Sequence, residues 1–306
     1  MIDAIWSNVT DPALFATVLR VMTPLLLAAL GVLISDRAGV LNIGMEGMML
    51  SGALVGVLAS AWTGTPFIGL FAAIACGALL GAVMAFAING LGTHFIITGI
   101  ALNLAAASAT TLGLYLATGD KGMSGALQSG VLPSLHIPLV KDIPVLGPML
   151  SGHHMLTYLA IACVPLISIM LARTPFGLHI RAVGADPKSA AAAGVSRNRT
   201  QLYALMLSGC FGGAAGAYLS MGYVSWFAQN MTAGRGFIAI AAEVMGMGTA
   251  WGTLASAAIL GIAETTAITM QALGLPNELM QMIPYIVPVI VLTAYAARQK
   301  ARARTS

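Results

Sequence analysis

The chain has 306 residues, 58% of them hydrophobic and only 8% charged, with a mean hydropathy of +0.89 and a formal net charge of +4. So little charge cannot clothe a water-facing surface, which excludes a soluble domain and makes this an integral membrane protein. Its positive balance flanks apolar spans, where it reads as membrane topology rather than nucleic-acid binding.

Apolar runs of about 20 residues are long enough to cross about 30 Å of hydrocarbon as helices. Such runs are expected near 14–34, 44–62, 67–89, 94–117, 154–172, 202–222, 254–272 and 282–297, with a short or broken one near 237–249. The fold class is therefore all-α: residues 1–306 form a single polytopic transmembrane helix bundle of about 8–10 spans. The first residues, MIDAIWSNVTDPALFATVL, contain Asp3 and Asp11 and no basic residue before Arg20, so they lack the basic start of a cleaved signal peptide and are expected to be retained.

Basic residues near span ends stay on the cytoplasmic side. Arg37, the loop 173–201 with Arg173, Arg181, Lys188, Arg197 and Arg199, and the tail with Arg298, Lys300, Arg302 and Arg304 hold ten of the fourteen. Lys121, Lys141 and Arg235 fall on the other side, and Arg20 lies within the first span. With an odd number of spans the N-terminus is outside and the C-terminus cytoplasmic.

The outer loop, 118–153, is punctuated by Pro133, Pro138, Pro144 and Pro148, which rule out a long helix and leave room for short extended pieces such as residues 136–140. It is either a connector or a surface for an external partner. The cytoplasmic loop, 173–201, contains GADPKSAAAAGV. Asp186 can cap a helix, Pro187 suits its first position, Lys188, Ser189, Ala190, Ala191, Ala192 and Ala193 continue it, and Gly194 stops it. A helix of about two turns is marginal alone and needs a neighbour to hold it. Its alanine surface is compact enough to lie in a groove of another protein. Small residues at helical spacing, Gly77 and Gly81, then Gly209, Gly212, Gly213 and Gly216, predict close helix packing. Cys76, Cys163 and Cys210 lie in apolar spans, where a thiol behaves as a small hydrophobe.

The chain has no GxxxxGK[ST] phosphate loop, so ATP chemistry is expected on a separate subunit. Adjacent His153 and His154 have poor spacing for one metal, and no GxSxG or HExxH suggests a hydrolase. No metal, cofactor or catalytic residue is expected.

Charges at membrane depth cost at least about 2.5 kcal/mol each and usually face a cavity or a partner. Glu46, Glu243 and Glu264 are such residues, and Asn42 and Asn103 are neutral counterparts. If 42–49 is helical, Asn42, Met45, Glu46 and Met49 share one face. Asn42, Glu46, Asn103 and Glu243 are candidates to line a solute path, against the alternative that they join helices or satisfy a broken backbone. Glu264 reads as a link between helices.

AGVLNIGMEGMMLSGA, PFGLHIRAVGADPKSAAAAGV and AGRGFIAIAAEVMG occur in this order, and together they resemble the permease subunits of ABC importers for nucleosides and simple sugars, relatives of the ribose and branched-chain amino acid permeases. The resemblance covers essentially the whole chain. It implies a multi-pass permease of a bacterial-type inner membrane that pairs with a second, homologous permease on cytoplasmic ATPase subunits and receives solute from an extracytoplasmic binding protein. It also implies that residues 186–194 are the coupling helix seated in an ATPase groove. The sequence departs from the family pattern at Glu243, where an apolar residue is usual, and lacks the basic residue and proline expected near Met247 and Ala250. Two rival readings remain at this stage. One is an ion- or proton-coupled secondary transporter titrating Glu46 or Glu243. The other is a scaffold or channel without a transport cycle.

Overall fold

A computed structural model describes residues 12–125, 127, 129–135, 151–222, 224–272 and 277–303. In chain order the helices are α1 Pro12–Arg37, α2 Met45–Thr63, α3 Pro66–Gly90, α4 Phe95–Thr118, α5 Met155–Arg173, α6 Pro175–Ala185, α7 Pro187–Ala192, α8 Arg197–Met221, α9 Arg235–Met245, α10 Ala250–Ala272 and α11 Asn277–Ala303. Two-residue strands, β1 Ser134–Leu135 and β2 His153–His154, pair antiparallel between α4 and α5. Seven of the described helices are long and apolar enough to span a membrane, and α11 contains a shorter apolar stretch, Met282–Thr293.

α1 is the hub. Leu25, Leu26, Leu27, Leu30, Leu33 and Ile34 are all buried, so this helix is apolar around its whole circumference and is enclosed by α5, α8, α9 and α10. Lipid is as apolar as leucine, so association here rests on close packing rather than on escape from water. The glycine rows supply it. Gly209 of α8 lies against the backbone of Gly77 in α3, Gly213 against Ala73 in α3, and Gly216 against Met49 in α2. A Cβ at 209 would run into the Gly77 carbonyl, and neither backbone can yield locally. Gly209→Ala is therefore expected to destabilise the bundle by about 3 kcal/mol, read as a lower unfolding midpoint of the purified protein.

The short span expected near 237–249 is present as the 11-residue helix α9, about 16 Å long at 1.5 Å per residue and so only half a bilayer. Two other expectations are refined. The loop 173–201 holds two helices: Thr174 accepts a bond from Gly177 N–H and starts α6 at Pro175, before the expected one. Asn42 is not helical, because α2 begins at Met45 and residues 38–44 run as turns and irregular chain.

At the end of the bundle away from α6 and α7, Gly122, Ser124, Ser129 and Leu132 share backbone hydrogen bonds with Gln229, Phe227, Ser225 and Met221. Ser124 N–H donates to Phe227 O, Phe227 N–H to Ser124 Oγ and Gln229 N–H to Gly122 O, each at 2.8 Å. Phe227 is fully buried beneath this cover. The expected extended piece at 136–140 lies outside the described residues. His153 and His154 are buried in β2. His154 Nδ1 accepts from Leu156 N–H at the start of α5, and burial pushes its imidazole down to about 4, so it stays neutral at pH 7.

Candidate functional site

The polar candidates converge on the broken start of α2 and on α9. Residues before Met45 leave backbone groups without helical partners, and in an apolar bundle those groups must be satisfied by side chains. Asn103 of α4 does this from across the bundle: its Nδ2 donates to Ile43 O and its Oδ1 accepts from Gly47 N–H, both at 2.8 Å. Asn42, fully buried, donates from Nδ2 to Ser208 Oγ at 2.9 Å and to Met48 Sδ at 3.3 Å, tying the same turn to α8.

Glu46 lies one residue into α2 and caps a different helix. Its Oε1 accepts from Thr232 Oγ1 at 2.6 Å and Gly234 N–H at 2.8 Å, and its Oε2 accepts from Gly236 N–H at 2.6 Å. A carboxylate at the N-terminus of α9 meets unsatisfied N–H groups and the positive end of the helix dipole together. Gly236 is needed there, since a Cβ would stand 2.6 Å from Glu46 Cα. The first and third motifs, NIGMEG and AGRGF, are thus two halves of one contact.

The other end of α9 is held by the opposite charge. Arg37, the last residue of α1, donates from Nε to Gly248 O at 2.7 Å, from Nη2 to the same oxygen, and from Nη2 to Met247 O at 3.4 Å. A carboxylate at its start and a guanidinium beyond its end fit the polarity of this half-length helix. Each flanking turn carries a non-glycine residue in the left-handed region, Ala233 at φ 47° and Met247 at φ 53°. Such strain costs about 1–3 kcal/mol per residue and persists only where surrounding contacts over-determine it. Glu46 and Arg37 supply those contacts.

Glu243 is 2% exposed and sits on the Arg37 half of α9, where the charges of Asp36 and Arg37 act on it. It is therefore separate from the Asn42, Glu46 and Asn103 cluster. Glu264 links helices as expected, through an ion pair between its Oε1 and Arg235 Nη2 at 2.7 Å.

Residues 186–194 form the capped element that the sequence describes. Asp186 accepts from Lys188 N–H at 3.0 Å and Ser189 Oγ at 2.5 Å, and these bonds, the Ser189 one foremost, hold its carboxyl below the usual carboxylate range. Ala190 faces inward, Ala191, Ala192 and Ala193 are exposed, and Gly194 ends the turn at φ 82°. The preceding helix, α6, reaches the core: Gly184 lies against the backbone of Arg37 and Gly39.

Sequence reasoning missed Arg37, Thr232 and Ser208 as site residues. Arg37 was visible only as a topology marker, because its partner lies 211 residues away. Arg235 with Glu264 did carry a signal: two opposite charges in otherwise apolar segments, 29 residues apart.

A bundle of long apolar helices, with a half-length helix fixed at both ends by ionic side chains and a small capped helix displayed at one end, is the architecture of a polytopic membrane protein. The chain belongs to the family described as the branched-chain amino acid transport system permease component, which matches residues 14–292. It is 36% identical over 293 residues to the guanosine ABC transporter permease NupQ of Bacillus subtilis, covering 91% of this chain and 90% of that one. It is 34% identical to a putative glucose ABC transporter permease of Haloferax volcanii over 89% and 88% of the two chains, and 29% identical to the nucleoside ABC transporter permease NupC of Lactococcus lactis over 92% of each. No solved structure matches the chain significantly. The chain is accordingly an ABC transporter permease component and a multi-pass inner-membrane protein, in agreement with the resemblance carried by its three motifs.

Proposed function

We propose that this permease forms the import path for a nucleoside or purine-like solute, and that residues 186–194 couple it to ATP hydrolysis on separate cytoplasmic ATPase subunits. The observation that carries the coupling role is the exposed Ala191, Ala192 and Ala193 surface on a capped helix, joined through α6 and Gly184 to Arg37. A rigid element transmits displacement where a loose loop would absorb it. Movement of α7 would thereby act on Arg37, which holds the end of α9, while Glu46 holds its start.

The remaining partners follow the same logic. α4 is little covered within the chain and exposes small residues, among them Ala101, Ala105, Ser108 and Ala109. Small residues on a lipid-depth helix favour close approach of another helix, which supports pairing with a second, homologous permease. The basic residues of the loop and tail favour a cytoplasmic α7 end and an outside N-terminus, and in this reading the opposite end receives solute from an extracytoplasmic binding protein. Both oxygens of Glu46 are occupied by hydrogen bonds to the start of α9, so a structural role accounts for this buried residue. Asn42 and Asn103 similarly act by shaping the path rather than by lining it, and Glu243 stands near the turn between α9 and α10.

The nucleoside class rests on the relatives that carry guanosine and nucleoside names, with sugar as the competing class. Uptake of labelled guanosine, adenosine, ribose, glucose and leucine by cells with and without this chain separates them. Loss of nucleoside uptake alone on deletion is the expected result. Loss of sugar or leucine uptake with nucleoside uptake intact would overturn the solute assignment.

A further inference from the structure

Three spans have their ends together on the α7 side of the bundle: α3 stops at Gly90, α4 starts at Phe95 and α8 starts at Arg197. The end of a span lies at the level of the phospholipid headgroups, so a cavity opening there meets lipid as well as water. Between these ends, and against Gly39 and Val40, is a cavity of about 560 Å³ whose lining includes Asn89, His94, Arg197 and Asn198. A cleft of about 250 Å³ adjoins it, sharing Asn89 and Asn198, and follows α3 and α8 past Phe86, Arg199 and Leu202.

The polar part offers donors with no opposing charge. Arg197 and Arg199 are exposed, neither is ion-paired among the described residues, and no acidic residue lines either cavity. Arg197 commits only Nε, to Gln201 Oε1 at 3.3 Å, and keeps both terminal nitrogens for another acceptor. His94 Nδ1 accepts from Ile96 N–H at 3.3 Å, so in the neutral ring Nε2 carries the proton and can donate. Such a lining selects an anion, and the fork of a guanidinium fits phosphate oxygens two at a time. The other part is apolar and deeper. Phe86, 65% exposed, lies about one turn inside α3 from Gly90, and Leu202 lies about one and a half turns inside α8 from Arg197. A soluble anion gains nothing from that wall, whereas an acyl chain packs against it.

We propose that this cleft between α3, α4 and α8 is a site for an anionic phospholipid, with the phosphate held by Arg197, Arg199 and His94 and an acyl chain lying along Phe86 and Leu202. Cationic pockets between span ends recognise anionic headgroups in this way. Phosphatidylglycerol brings a net negative charge, whereas the headgroup of phosphatidylcholine carries a cation that the two arginines repel. The site requires only that α3, α4 and α8 end at a membrane surface, so it stands apart from the solute and the coupling role proposed above.

The test measures the unfolding midpoint of the purified full-length chain in detergent while phosphatidylglycerol, phosphatidylcholine or glycerophosphoglycerol is added. Glycerophosphoglycerol is the phosphatidylglycerol headgroup without its chains. The wild type is compared with Arg197→Gln combined with Arg199→Gln, and with a charge-matched control in the tail, Arg302→Gln combined with Arg304→Gln. In the wild type, saturating phosphatidylglycerol is expected to raise the midpoint about 5 °C more than phosphatidylcholine does, and glycerophosphoglycerol to leave it unmoved. The tail variant is expected to keep that difference, and the Arg197 and Arg199 variant to need at least about tenfold more phosphatidylglycerol for the same rise. Equal effects of the two lipids on the wild type would overturn the site whatever the stability of the variants. So would an undiminished response in the Arg197 and Arg199 variant, or an equal loss in the tail variant, which would reduce the effect to net charge. A full response to glycerophosphoglycerol would assign the cavity to a soluble anion and overturn the lipid.

Discussion

Glu46→Gln is expected to lower the stability of the purified permease by about 3 kcal/mol and to abolish transport. The carboxylate accepts three hydrogen bonds, from Thr232, Gly234 and Gly236, and an amide can accept at only one of its two ends. Whichever way the amide turns, its NH2 confronts a backbone N–H and leaves that donor unsatisfied, at a cost of about 1–3 kcal/mol. Loss of the charge at the α9 N-terminus adds up to about 2 kcal/mol in a partly buried setting. Glu46→Ala strands all three donors and should cost more, about 4 kcal/mol or above. The measurement is the unfolding midpoint in detergent or nanodiscs, with uptake in parallel. Should Glu46→Gln transport and unfold like the wild type, its capping of α9 would have no functional weight.

The second large effect is expected at the exposed face of α7. Ala191→Trp places a bulky ring where the structure displays a small, solvent-facing surface, so the fold has no reason to change. If that surface seats in an ATPase groove, the ring prevents close contact, and recovery of the ATPase with the purified permease should fall at least about tenfold. The unfolding midpoint should stay where it was. Asp186→Ala probes the same element differently, by removing the bonds from Lys188 N–H and Ser189 Oγ that start the helix. It should cost about 1 kcal/mol of local helix stability and weaken coupling without a steric block. Undiminished ATPase recovery with Ala191→Trp would remove α7 from the coupling interface.

Local signals in the sequence carried the elements that depend on local chemistry. Asp186, Pro187 and Gly194 mark the start and stop of α7 through capping and backbone preference, and the structure places the helix between them. Apolar runs marked the long spans for the same reason, and the Gly77 and Gly209 rows anticipated close packing. What could not be read were contacts between distant segments. Nothing near Glu46 in sequence indicates that its partners lie at 232–236, and nothing near Arg37 points to Gly248. A helical reading of 42–49 would have put Asn42 and Glu46 on one face, whereas Asn103 holds the turn before Met45 open from another helix. The start of α6 at Pro175 was legible in principle, since Thr174 followed by Pro175 is a cap and first-turn pattern of the kind used for α7.

One measurement tests the central claim most directly: guanosine uptake into proteoliposomes holding the chain with its second permease and ATPase subunits, with binding protein supplied outside. Energy is provided either as internal ATP or as an imposed proton or sodium gradient. The account predicts uptake that requires both ATP and binding protein, is unaffected by the gradient, and is lost with Ala191→Trp. Gradient-driven uptake by the chain without ATPase subunits would contradict it and identify a secondary transporter instead.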